Sequence, residues 1–461
     1  MRIDEDCIGT KEIPDDALYG VHAARAAENF QISSEKLHPL LIQSLIQIKR
    51  AAAQTNLAAG ALPENKAKAI INACNELLFG SYNAEFIVPA IQGGAGTSAN
   101  MNVNEVIANL ATRNSGVKIH PNDDVNLAQS TNDTFPTAGK MAMLRSIPSL
   151  MASLNRLTKT LLDLAGEYQD TIKVGRTQLQ DAVPTTFGKT FHGYYSMFRR
   201  DIKRIEMASN SLKEVNLGGT AIGTGINATP YYQDNVVRTL EGTAKLGLKQ
   251  AEDLIDCTQN CDAYVIFSGA LKALAVDMSK FSNDLRLLSS GPQAGLAELI
   301  LPAKQAGSSI MPGKINPVIP EVVNQVSFEV IGDDVTVTMA AEAGQMELNA
   351  FEPIIFKNIL KDEEFLTNAL TTLNDNCVSD IMVNEAACAK EVEYSAVTAT
   401  ILTPYLGYVK TTEIVKQATR ENKSVKELVK DSGLLNASLV DELFKADSLV
   451  NERIAVKAMA K

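Results

Sequence analysis

The sequence predicts an all-α chain organised around long bundle helices, on three observations. Apolar residues recur at steps of three and four over several stretches of roughly 20 to 30 residues, the repeat of a packed helix face. Period-two alternation with Gly/Asn turns is nearly absent outside short pieces near the N-terminus. The segments between the helical stretches are dense in Gly, Ser, Thr and Asn and mostly poor in charge.

In chain order, the first long periodic stretch starts at Leu144 and continues through Ile147, Leu150, Leu154, Leu157, Leu161 and Leu164. Pro148 lies inside it, so a kink or a late helix start is expected there. A second stretch uses Leu271, Leu274, Met278, Phe281, Leu285 and Leu288, and Gly291-Pro292 stops it. A third is expected from Pro320 to Ala343 and a fourth from Ile354 to Leu373. Helices of this length suit a bundle. From about Glu391 the pattern changes to short helices, with Ser424-Val425-Lys426-Glu427 reading as a capping box. A small C-terminal domain is the expectation.

Composition narrows the function. The chain has 461 residues, 45% of them hydrophobic, with no apolar run near the roughly 18 residues a membrane span needs. Its acidic start lacks the apolar core of a secretory signal, so a cytoplasmic location is expected. The net charge of −11 and the lack of a basic stretch argue against nucleic acid as a partner. Six cysteines are too dispersed for a disulfide framework. Only Cys257 and Cys261 lie close, at a spacing that would put both on one helix face. With four histidines and no HxH, HExxH or CxxC pattern, no metal site is expected.

Five polar segments carry the chemistry: Gln92 to Asn104 (QGGAGTSANMNVN), Pro121 to Asp133 (PNDDVNLAQSTND), Gly175 to Pro184 (GRTQLQDAVP), Gly218 to Asn227 (GGTAIGTGIN) and Ala306 to Pro317 (AGSSIMPGKINP). Each alone reads equally as a connection, with Gly in turns and Ser, Thr or Asn capping helices. Five of one composition suggest more. Hydroxyls, amides and Gly-exposed N–H groups make a neutral donor surface suited to carboxylates. Lys314 and Arg176 would supply the positive charge, which together fits a small dicarboxylate. In the last segment Gly307 precedes Ser308-Ser309, Pro312-Gly313 imposes a turn, and Lys314 and Asn316 alternate towards one side. Two readings stay open for it, a mobile catalytic lid or an N-cap before the helix begun at Pro320.

Together these segments resemble the aspartase/fumarase superfamily. GSSIMPGKINP, with Glu321 beyond it, is similar to the family's signature loop almost throughout. GTKEIPDDALYGVHAARAAENF, GGAGTSANMNVNEVIAN, HPNDDVNLAQSTNDTFPT, GRTQLQDAVP, EVNLGGTAIGTGIN and EVVNQVSFEVIGDDVTVTMAAEAGQMELN follow in the family's order. The resemblance implies three mostly helical domains, 1–131, 132–386 and 387–461, the middle one a long five-helix bundle. It implies a homotetramer whose active sites draw loops from three subunits. It also implies Ser308 as general base, with Thr97, Ser130, Thr131, Thr177, Gln178, Lys314 and Asn316 holding a small-molecule dicarboxylate and Asn132 receiving an amino group. No metal, flavin, pyridoxal group or other cofactor is implied, and no membrane partner.

Within the superfamily, hydratases typically carry a histidine where this chain has Gln178, and two serines where it has Ser130-Thr131. Glutamine can hydrogen-bond a carboxylate but cannot shuttle a proton. The resemblance is therefore to the branch that removes ammonia from L-aspartate to leave fumarate. A lyase for a substituted aspartate, a fumarate hydratase and a catalytically silent scaffold stand as alternatives. Some relatives have histidine where this chain has Asp124, at a secondary anion site, and that site is not carried over.

Overall fold

The computed structural model describes residues 1–450. Among these residues helices dominate, and every sheet has only two strands. The N-terminal alternation becomes the hairpin β1 (Arg2–Asp6) and β2 (Gly9–Ile13), paired antiparallel from Arg2↔Ile13 to Asp6↔Gly9. The helices α1 (Val21–Asn29), α2 (Pro39–Ala58), α3 (Glu64–Phe79) and α4 (Thr97–Ser115) follow.

Next comes α5 (Thr131–Glu167), with Pro136 and Pro148 both inside it. The expected start at Leu144 is corrected: the helix begins at Thr131 and runs through both prolines. The reason is burial. From Asp133 to Leu144 every residue is buried, so no solvent-facing side interrupts the pattern to make the period visible. Beyond Pro148 one face returns to solvent, and Leu150, Leu154, Leu157 and Leu161 form the buried stripe.

Strands β3 (Ile172–Thr177) and β4 (Gln180–Thr186) pair next. After them come α6 (Phe187–Ser209), α7 (Pro230–Ala244), α8 (Leu254–Gln259) and α9 (Asp262–Leu288). The predicted α9 stripe is buried from Leu271 to Leu285. The expected third and fourth helices are α10 (Val318–Glu342) and α11 (Glu352–Asn376), each two residues further upstream at its start. The expectation for the cysteine pair is corrected: Cys257 lies on α8, but that helix stops at Gln259 and Cys261 falls in the break before α9. Helices α12 (Glu385–Tyr394), α13 (Thr403–Glu421), α14 (Val425–Ser432) and α15 (Ala437–Leu443) follow; all but α13 are short, and α13 is broken at Gly407 (φ 74°). Ser424 and Glu427 exchange both bonds of the capping box, and Gly433 closes α14 in the left-handed conformation.

The chain divides into two compact units. One comprises Met1–Ala152, Asp201–Val276 and Val326–Thr367; the other comprises Ser153–Arg200, Asp277–Gln325 and the chain from Asn368 onward. In the first, Phe135 and Tyr264 both pack against Phe356, with ring centroids 5.0 and 5.1 Å apart. In the second, Phe198 and Tyr194 pack on Phe281, and Val425, Leu428, Val429, Val440 and Leu443 close the core of the short helices. Among the described residues no helix is long and apolar enough to cross a membrane. Nor does any group of three or more His, Cys, Asp or Glu side chains there have an arrangement that could hold a metal ion.

Candidate active site

In the first unit the site begins where α4 and α5 begin. Gly96 caps α4 at φ 87°, and a Cβ there would lie 2.4 Å from the Phe135 ring, so only glycine fits. Thr97 is thereby the first residue of α4, half-buried, its N–H donating to the Gly94 carbonyl at 2.9 Å.

The turn entering α5 carries Ser130, Thr131 and Asn132. Ser130 Oγ accepts from the Asn132 N–H at 3.1 Å. Thr131 is buried and its Oγ1 accepts from Asn100 Nδ2 at 3.2 Å. Asn132 Nδ2 donates to the Ala221 carbonyl at 2.8 Å, and the Asn132 carbonyl accepts from Asn216 Nδ2 at 2.9 Å. Ser130 lines a cavity of about 500 Å³ with Asn126, Gln129, Thr220, Ala221 and Asn227. The turn is thus tied to the Gly218–Asn227 segment across that cavity.

Two buried charges hold this floor. Lys49, fully buried on α2, donates to Asn126 Oδ1 at 2.7 Å and Gln129 Oε1 at 3.0 Å. Burial lowers its pKa to about 7, with Asp133 pulling the other way. Asp133 Oδ1 accepts from the Ser130 N–H at 2.9 Å, while Oδ2 accepts from the Gly218 and Thr220 N–H groups at 3.0 and 3.1 Å. Burial raises its pKa to about 6 against the pull of those N–H groups and of Lys49. Asn126 Oδ1 also accepts from Asn100 and Asn104, each at 3.2 Å. Sequence reasoning left Lys49, Asn100, Asn126, Gln129, Asp133 and Thr220 without roles. One signal was present: a lysine on the apolar face of PLLIQSLIQIKRAAA.

Asp124 is explained here. Its carboxylate takes Lys66 Nζ at 2.8 and 2.9 Å and the His120 N–H at 2.8 Å. Asp124 is thus committed to an internal ion pair.

In the second unit, the segment expected as a loop from Gly175 to Pro184 is a hairpin. Thr177 pairs with Gln180, leaving Gln178 and Leu179 as a two-residue turn at φ 54° and 61°. Positive φ at both turn residues is the type I′ requirement, usually met by Asn and Gly. Two longer side chains held there signal a tip kept for its side chains rather than its ease of turning. Thr177 and Gln178 are exposed.

Arg176 corrects an expectation. Its guanidinium pairs with the buried Glu298 and with Glu391 at 2.9 Å, while Lys173 pairs with the other Glu298 oxygen at 3.0 Å. Its charge is spent inside the fold, so it is not the free cation foreseen beside Lys314.

The Ala306–Pro317 segment folds on itself. Gly307 N–H donates to the Lys314 carbonyl at 2.9 Å, and Asn316 Nδ2 donates to the Gly307 carbonyl at 2.7 Å. A Cβ on Gly307 would sit 2.5 Å from that Lys314 oxygen. Ser308 Oγ accepts from the N–H groups of Ile310 at 3.2 Å and Met311 at 2.9 Å. These donors lie two and three residues downstream of Ser308, and the Gly307 N–H is committed to Lys314. Lys314 is exposed, and among the described residues its ammonium has no ion pair. Asn316 is half-buried. No hydrogen bond joins Thr177 or Gln178 to this segment among the described residues.

In the second unit a hydroxyl backed by two N–H donors, near an exposed ammonium, can stabilise an oxyanion, and in the first unit a floor of hydroxyls and amides can bind a carboxylate. A family model described as lyase matches residues 9–332, and one described as fumarase C C-terminus matches residues 399–451. The chain belongs to the lyase family, within the aspartase/fumarase superfamily. It is 46% identical to the aspartate ammonia-lyase of Pseudomonas aeruginosa over 98% of each chain. It superposes on a fumarate lyase:delta crystallin from Brucella melitensis with TM-score 0.94 and 46% identity, covering 98% of this chain and 99% of that one. The class II fumarase from Schistosoma mansoni gives TM-score 0.94 at 34% identity, with the same coverage. The expected fold and family are borne out.

Proposed function

We propose that this chain is a carbon–nitrogen lyase that reversibly removes ammonia from L-aspartate to give fumarate. The observation that carries this reading is near full-length similarity, at 46% identity, to aspartate ammonia-lyase. Gln178 at the hairpin tip supports it over the hydratase, since an amide there binds a carboxylate without moving protons.

The proton removed sits on the carbon next to the side-chain carboxylate. Its removal puts a second negative charge on that carboxylate, an aci-carboxylate, and stabilising this dianion is the main catalytic task. Ser308 Oγ, ionised against its two N–H donors, takes the proton. The electron pair held in the aci-carboxylate then forms the C=C bond as the C–N bond on the opposite face breaks and ammonia leaves. Thr97, Ser130, Thr131, Thr177, Gln178, Lys314 and Asn316 hold the carboxylates, and Asn132 accepts from the amino group.

The division at 131 and 386 is part of the proposal, supported by the start of α5 at Thr131 and the separate family match of the C-terminal stretch. So are a homotetramer with shared sites and a cytoplasmic location. In the first unit, Ile266 and Val276 of α9 and Phe328, Val335 and Met339 of α10 are exposed, apolar area that a second copy would cover. Incubation with L-aspartate, L-malate and N-substituted aspartates, followed by fumarate absorbance in the ultraviolet, tests the activity. Fumarate from L-aspartate is expected; release only from malate or from a substituted amine defeats the reading. A monomer by light scattering defeats the assembly.

A further inference from the structure

Thr220 lines the cavity together with Ala221 and Ser130. Three independent features mark it. It is a β-branched residue at φ 55°, a conformation that glycine or asparagine would adopt with far less strain. Its backbone is held there by Asp133, whose carboxylate takes the Thr220 N–H at 3.1 Å and the Ser130 N–H at 2.9 Å. One carboxylate thus fixes both sides of the cleft at once. Finally, Thr220 is 3% exposed, and its Oγ1 has no hydrogen-bond partner among the described residues. Buried hydroxyls are ordinarily satisfied, so an orphan in a cavity wall marks a place for a ligand atom.

Asn132 indicates which ligand atom. Its Nδ2 is committed to the carbonyl of Ala221, the neighbour of Thr220, while among the described residues its Oδ1 has no hydrogen bond. The orphan hydroxyl belongs to the residue next to the one that anchors the Asn132 side chain. The Asp133 carboxylate that holds the Thr220 N–H has two titratable neighbours, Lys49 on α2 and, on α7, the buried and neutral Tyr232 hydroxyl. Two acceptors beside a carboxylate suit a cation with several N–H donors.

We infer that Thr220 Oγ1 is a second acceptor for the substrate's amino group, completing with Asn132 a site selective for a primary ammonium. The inference rests on the ammonia-lyase reading. It extends the site to the Gly218–Asn227 segment, whose side chains had no part in it. The retention of a strained threonine then has a chemical reason, since glycine would relieve the backbone but leave the ammonium one acceptor short.

The test is steady-state kinetics of fumarate amination in both substrates, with Thr220→Val, Thr220→Ala and Thr220→Ser. Valine keeps the shape and backbone preference and removes only the hydroxyl; alanine is a second deletion that relaxes the crowding if the valine variant does not fold. Either deletion is expected to raise KM for ammonia about tenfold, the size expected for a hydrogen bond to a charged group, with KM for fumarate changed less than twofold. Serine is expected to restore the ammonia KM. A folded deletion variant with unchanged ammonia KM overturns the assignment. Equal loss for ammonia and fumarate, not rescued by serine, also overturns it by showing a structural role. A wild-type protein that does not aminate fumarate at all fails the ammonia-lyase reading and the inference with it, an outcome distinct from either.

Discussion

Replacing Lys49 with methionine separates stability from function. The substitution keeps most of the side-chain length and removes an ammonium buried among Asn126, Gln129 and Asp133. Its pKa is about 7 in the folded chain against 10.5 for the free side chain. Above pH 7 the folded chain releases this proton while the unfolded chain keeps it until about pH 10.5. The unfolded state therefore binds more protons, and stability rises with pH across that window. Each pH unit is worth about 1.4 kcal/mol, so between pH 7 and 9 the wild type should gain roughly 2 to 3 kcal/mol relative to Lys49→Met. At pH 8 the removed burial penalty and the lost hydrogen bonds are of similar size. Asn126 Oδ1 keeps its two amide donors, and only Gln129 Oε1 is orphaned, at about 1 to 3 kcal/mol. The assay is urea unfolding of both proteins at pH 7, 8 and 9 at one fixed protomer concentration. Parallel pH dependence would refute the buried, low-pKa lysine. Turnover should nonetheless fall at least tenfold at every pH, because the turn holding Ser130 loses its anchor.

Ser308→Ala should abolish ammonia release with circular dichroism and assembly unchanged; near-normal turnover would place the base elsewhere. Lys314→Ala should raise KM for L-aspartate and lower kcat together, since it removes the unpaired cation at the dianion, and unchanged kinetics would exclude it from the pocket. Glu298→Gln leaves the buried Lys173 without its carboxylate and Arg176 with Glu391 alone, which should cost about 3 to 5 kcal/mol. Thermal unfolding reads that loss, and a shift within error would show the trio to be dispensable.

The long helices were legible wherever one face meets solvent, as in α9 and the second half of α5. They were illegible from Asp133 to Leu144, where burial on all sides erases the period. The β3–β4 hairpin was missed because its turn is Gln-Leu, whereas a sequence reading looks for Asn-Gly. The residues proposed to touch substrate sit in short motifs and could be named from the chain alone. Those that hold them, Lys49 and Asp133 above all, act through partners about 80 residues away in sequence, and no local pattern marks such a pairing. Arg176 shows the converse error: a charge in a motif invites a ligand role until its carboxylate partners, more than 100 residues away, are seen.

The two N–H donors on Ser308 Oγ have an implication for timing. A serine hydroxyl offers one proton and accepts through two lone pairs, and here Ile310 and Met311 occupy both. In this conformation the neutral hydroxyl is a donor only, with no lone pair left to attack a C–H bond. On the proposed role it must shed its own proton before it can collect the substrate's. Each catalytic cycle then starts with a discharge, and the enzyme arrives at its substrate already ionised. The pH at which that discharge occurs belongs to the loop, so it should appear in kcat/KM alike for every amine the enzyme accepts.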